Sequence, residues 1–165
     1  MASPVFADSV AEKNKCNSTK TPLNWSGCNL YGKDLRGVDF RGANLNNAKM
    51  VGVDLSNKDL SGASMKNAFL KAASLDDANL SNVDLSGAKL IGTKIRNANL
   101  SHANLFKATL FRADLTSSDL SNSNLQYATL TNAIFANVNF HNADLKGAGW
   151  WNANLNNCKN HEICN

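Results

Sequence analysis

Few side chains in this chain have the chemistry to react or to ligate, and most of those sit at its ends. There are four cysteines, Cys16, Cys28, Cys158 and Cys164, and three histidines, His102, His141 and His161. Cysteines can close disulfides, and cysteine with histidine can hold zinc. The tail spacing Cys158-x-x-His161-x-x-Cys164 offers three such ligands, one short of the four that a structural zinc site takes. No serine has a placed base and no glycine-rich loop opens a helix. The residues therefore predict no catalytic site, no cofactor and no metal centre. What remains is crosslinking at the ends and contact along the middle.

The middle is governed by a short period. Every fifth residue from Leu30 to Leu155 is large and apolar; 19 of these 26 centres are Leu, and the rest are Phe40, Met50, Met65, Ile95, Phe135, Phe140 and Trp150. Two residues before each centre stands a small one, Ala in 16 of 26 units. Directly before the centre stands Asn or Asp, again in 16 of 26.

Period five suits neither regular element. In a helix, five residues advance roughly 500°, so the leucines would spiral around the axis. In a strand, an odd spacing sends successive leucines to opposite faces. A bend in every unit resolves the conflict. Short extended pieces alternate with turns, the chain coils into a tube, and the large and small positions both face the axis. Asn and Asp before the centre bond to nearby backbone and suit turns. Ser, Gly and Asn follow it, as in Ser61-Gly62 and Ser86-Gly87. Proline is absent after Pro22, as a coil that uses every N–H requires.

The unit Ala-Asn/Asp-Leu-x-x, seen at Ala43-Asn44-Leu45, Ala78-Asn79-Leu80, Ala113-Asp114-Leu115 and Ala143-Asp144-Leu145, is similar to that of the pentapeptide-repeat family. The resemblance implies an all-β fold, a right-handed quadrilateral parallel β-helix with four units per coil. It spans residues 26–157, about six and a half coils or roughly 30 Å of tube. Residues 1–25 then form an N-terminal tail and cap, with a short helix expected near 9–16, and residues 158–165 a C-terminal cap. Lys33 and Lys58 fall where Ala is expected, and so thin a core cannot bury an unpaired amine. Local distortion is predicted there, with both side chains swung outward. Thr93, Ser118 and Ser123 fit as small polar fillers bonded to backbone.

On this frame Cys28 and Cys158 take the small inward position of the first and last units, while Cys16 and Cys164 flank them. Disulfides Cys16–Cys28 and Cys158–Cys164 would tie each cap to its coil. The pairing Cys28–Cys158 would have to span the tube. Four thiols, or a tail metal site, are the other readings. Disulfides point to an oxidising compartment. Val5-Phe6-Ala7 resembles the end of an export signal. Together with the resemblance, these features suggest the periplasm or thylakoid lumen, with a cytoplasmic location as the alternative. No apolar run is long enough to cross a membrane.

Some family members mimic DNA and bind gyrase, which implies an acidic rod. This chain has 17 Lys and Arg against 13 Asp and Glu, which weighs against a topoisomerase regulator, and scattered lysines weigh against nucleic-acid binding. Residues 20 apart should stack. One such ladder is mostly apolar: Tyr31, Val51, Lys71, Ile91, Phe111, Thr131, Trp151. Lys49, Phe69 and Lys89 flank it, with Phe106 and Tyr127 around the corner. Contiguous exposed apolar surface marks an interface; stabilisation of the ladder itself is the other reading. The expected function is a non-catalytic scaffold that binds an unidentified protein partner through Tyr31, Val51, Phe69, Ile91, Phe106, Phe111 and Trp151. Weak end-to-end or face-to-face self-association is expected as well, because open β edges recruit neighbours.

Overall fold

The computed structural model describes residues 15–18 and 20–164. The expected helix near 9–16 lies almost wholly outside the described residues; only its last positions are seen, with Lys15 helical and Cys16 in a turn. From there the chain winds as a coil of 20 residues. Parallel bridges join the residue before a centre to the one 20 positions on, from Asn24↔Asn44 to Asn139↔Lys159, with only Asp34 and Asp39 left unbridged to Asp54 and Asp59 among the described residues. Each straight piece is too short to form a conventional strand, so the bridges stand singly between turns. They begin one unit ahead of the Leu30 pattern, because Trp25 and Leu23 take the large and small inward places there. Both are buried, and Trp25 Nε1 donates to the Ser18 carbonyl at 2.9 Å.

Each unit turns just after its centre. The small residue's N–H donates back to the centre's carbonyl, as Ala48 to Leu45 at 3.1 Å, and the residue two after the centre has positive φ, as Asn47 at 58°. That combination defines a type II turn, whose third residue must be left-handed. Gly and Asn supply most of these positions, but Ala72, Lys107, Arg112 and Tyr127 are forced into the same conformation. The Asn or Asp before the centre caps the turn from outside. Asp54 Oδ1 accepts the Ser56 N–H at 2.9 Å, and Asp119 Oδ1 that of Ser121 at 2.9 Å. These residues lie on the straight segment and brace the turn without forming it.

The axis is dry. Leu, Met, Phe and Ile centres from Leu30 to Phe140 are buried, with the Ala positions packed between them. Buried hydroxyls bond backbone: Thr93 donates to the Leu70 carbonyl at 2.8 Å, Ser118 to that of Ile95, and Ser123 to that of Leu120.

The ladder of hydrogen bonds between coils is continuous except at one breach. Six rungs are missing: Gly32 to Val51, Leu35 to Asp54, Gly37 to Ser56 and Phe40 to Asp59, with the return bonds Asp54 to Lys33 and Asp59 to Val38. Bonding resumes at Gly42 to Ser61, at 2.9 Å. A cavity of about 320 Å³ opens there, lined among others by Lys33, Leu35, Val53 and Lys58. The cause is steric. Lys33 stacks over Val53 and Val38 over Lys58, so two neighbouring sides carry bulky pairs where Ala–Ala is usual. Val alone is tolerated, since the rungs around Val83 and Val138 are intact. The Lys33 amine escapes toward the N-terminal cap, donating to the Cys16 carbonyl and Asn17 Oδ1, both at 2.7 Å.

At the ends the cysteines stand in two pairs at disulfide distance. The Cα atoms are 5.6 Å apart for Cys16 and Cys28, and 5.3 Å for Cys158 and Cys164. The tail adds one turn of 3-10 helix, Glu162–Cys164. His161 packs its ring on Phe140, and its Nδ1 accepts the Ile163 N–H at 3.3 Å. Among the described residues, no three His, Cys, Asp or Glu side chains converge as a metal site would require.

Candidate interaction face

One side of the rod is formed by the units centred on Leu30, Met50, Leu70, Leu90, Leu110, Leu130 and Trp150. Bridges from Asn29↔Lys49 through Thr129↔Gly149 hold these units in register. Because the centres point inward, their two neighbours point outward. Tyr31, Val51, Phe69 and Trp151 are 75%, 42%, 44% and 74% exposed. Ile91 and Phe111 are half-buried, shielded by their ladder neighbours, and the Arg112 guanidinium lies 5.1 Å over the Phe111 ring. All six lie on one face, as the 20-residue spacing predicts.

Phe106 does not belong to that face. It sits around the corner, half-buried, edge-on to Tyr127 at 5.9 Å between centroids, with the Lys107 amine 5.0 Å over its ring. Gly147 makes room for Tyr127, since a Cβ there would meet the ring at 2.7 Å. Ile134, on another side, is also exposed; like Phe69 it stands directly before a centre, where Asn or Asp is usual.

Charge is distributed unevenly around the rod. None of the ten aspartates within residues 26–157 falls on the Tyr31–Trp151 face. Its charges are Lys49, Lys71, Lys89 and Arg112, all exposed. Elsewhere acids and bases pair: Arg36 with Asp34 at 2.6 Å, Arg41 with Asp39 at 2.8 Å, Lys66 with Asp84 at 3.3 Å, and Arg96 with Asp76. Sorting the acids by side of the coil would have revealed this asymmetry; the overall charge hides it.

The guanidinium of Arg36 hydrogen-bonds Asp34 and that of Arg41 hydrogen-bonds Asp39, holding each carboxyl down to about 2. Hydrogen bonds from Arg96 likewise lower Asp76. A carboxyl whose folded pKa is depressed adds stability above its unfolded value and loses it as pH falls through the folded one. Melting temperature is therefore expected to be flat from about pH 7 to pH 5 and to fall between about pH 4 and pH 2. Thermal melts followed by circular dichroism check this; a melting point that rises on acidification contradicts it.

A family model described as pentapeptide repeats matches in eight copies, over residues 26–57 and, in overlapping stretches, 59–159. This chain belongs to the pentapeptide-repeat family. Among solved structures it is similar to HetL of the cyanobacterium Nostoc sp. strain PCC 7120, a pentapeptide repeat protein involved in heterocyst differentiation regulation. That match has 28% identity and a TM-score of 0.67, and covers 82% of this chain and 71% of HetL. A pentapeptide repeat protein of the Arabidopsis thaliana thylakoid lumen matches at 29% identity and TM-score 0.63, covering 66% of this chain and 77% of its own. QnrB1, a plasmid-mediated fluoroquinolone resistance protein, shares the fold at 23% identity and TM-score 0.56, covering 72% and 66%. No curated protein sequence matches significantly. No helix among the described residues of this pentapeptide-repeat protein is long and apolar enough to cross a membrane.

Proposed function

We propose that this pentapeptide-repeat protein is a non-catalytic scaffold that binds a protein partner through the Tyr31–Trp151 face. One observation carries the reading: most of its large exposed apolar side chains (Tyr31, Val51, Phe69 and Trp151) stack on a single side of a rigid rod. Monomeric proteins seldom gather such residues without a partner to cover them. The structural resemblance to HetL, a protein tied to regulation, fits a scaffold role. A photo-crosslinking residue in place of Phe69 should trap a discrete protein in the native compartment, whereas one in place of Ile134 should not. Identical adducts from both positions would defeat the proposal.

The second reading, a DNA-mimicking topoisomerase regulator, needs a continuous acidic stripe. Arg36, Arg41 and Arg96 neutralise the acids beside them, and the likeness to QnrB1 extends to the fold alone. For location, the paired cysteines and the resemblance to a thylakoid-lumen protein support export to an oxidising compartment, the periplasm or thylakoid lumen. Mass spectrometry after non-reducing digestion should recover Cys16 with Cys28 and Cys158 with Cys164; four free thiols in native protein would remove that support.

A further inference from the structure

We propose that the partner presents an acidic protein surface with apolar residues between its carboxylates. This rests on the reading of the Tyr31–Trp151 side as an interface and adds the chemistry of what covers it. Two independent properties coincide on that side. Exposed apolar residues concentrate there, and acids are missing from it, leaving four exposed cations with no carboxylate partner among the described residues. On the other sides arginines are bonded to neighbouring aspartates.

The arrangement is interleaved. One coil sets Lys49 beside Val51, the next Phe69 beside Lys71, and the third Lys89 beside Ile91. Cation and apolar group exchange places from coil to coil, with coils roughly 4.8 Å apart. Lys49 and Lys89, bridged in turn to Phe69, are therefore roughly 10 Å apart on one edge, with Lys71 on the other. A surface that satisfies both halves carries carboxylates at that spacing and apolar side chains between them. A nucleic acid would meet the cations and leave Val51 and Ile91 against phosphate. A membrane would need apolar groups that project, yet Val51 and Phe69 are about half covered and Ile91 more so; only Tyr31 and Trp151 stand clear, at opposite ends. Complementary charge of this kind governs encounter rate and partner choice more than raw affinity.

The probe is a soluble glutamate–tyrosine random copolymer, with a lysine–tyrosine copolymer, duplex DNA and vesicles of phosphatidylcholine with about one-third phosphatidylglycerol as comparators. Fluorescence anisotropy should show binding to the acidic copolymer above all others, weakening at least tenfold between about 50 and 300 mM salt. The triple variant K49Q/K71Q/K89Q should lose at least tenfold in affinity, whereas K66Q/K107Q/K146Q, on the adjoining side, should match wild type. V51S/F69S should weaken binding and leave the salt dependence unchanged. All these side chains are exposed, and circular dichroism verifies that each variant folds. No binding to the acidic copolymer, equal binding to DNA or vesicles, or equal loss in both lysine variants overturns the inference. If K49Q/K71Q/K89Q keeps the adduct trapped at position 69, the face stands as an interface and its acidic partner does not.

Discussion

Replacing Leu85 by Ala is expected to destabilise the rod by about 3 kcal/mol, within the 2–5 kcal/mol range for buried Leu truncations. Leu85 is fully buried, stacked between Met65 and Leu105. The coils cannot collapse onto the gap. The Leu85 N–H is held to Asn104 at 2.8 Å and that of Asp84 to Ala63 at 3.0 Å, so inter-coil spacing is set by hydrogen bonds on both sides. The cavity then persists, and the cost includes lost contacts as well as lost transfer energy. In a solenoid each coil touches only its neighbours, so the defect should weaken two interfaces and split unfolding into N- and C-terminal steps. Leu155→Ala, at a half-buried terminal position, should cost under about 1 kcal/mol by the same reasoning. Denaturant melts of the two variants decide the matter; equal losses would contradict a stacked dry axis.

The second expected result runs the other way. The double variant K33A/K58A should be more stable than the natural chain. Closing the breach restores six inter-coil bonds, each worth roughly 0.5–1.5 kcal/mol net. Against this stands the loss of the Lys33 bonds to Cys16 and Asn17 and of its contact over the Trp25 ring at 5.6 Å. A net gain of at least about 2 kcal/mol is expected, because the part-buried Lys33 bond to Cys16 and the exposed one to Asn17 offset only part of that sum. Hydrogen exchange provides the local readout: amides of Leu35, Gly37, Phe40, Asp54 and Asp59 should gain protection, and those of Leu85 and Asn104 should not change. Unchanged exchange at Leu35 and Asp54 would show that the lysines do not hold the coils apart. The two results address the same rule from opposite sides, since an inward position must be filled, yet only by something small or branched close to the backbone.

Much of this was legible in the residues. The five-residue rhythm cannot be met by a helix or a flat strand, so it dictated the bend in every unit and the inward set, from Leu30 to Leu155. Lys33 and Lys58 announced trouble because an amine has no place in a dry axis. The apolar ladder from Tyr31 to Trp151 followed from arithmetic once four units made a coil. Other features were less visible. Trp25 and Leu23 extend the tube, but a Trp–Leu pair does not resemble Leu–Ala. Phe106 was placed around the corner by the same arithmetic, but its edge-on packing against Tyr127 was not legible.

What the sequence determined by itself was which side chains enter the axis, because periodicity is a local property that each unit satisfies alone. Only the tertiary structure decided how neighbours 20 residues apart act on one another. It placed the left-handed turn residue two after each centre, wherever Asn or Gly stood, and at Ala72 and Tyr127 where neither did. It showed that the bulky positions on two adjacent sides border a single breach. It also showed which charges pair and that, among the described residues, those of the Tyr31–Trp151 face do not, since charge is summed along a chain but felt across a surface.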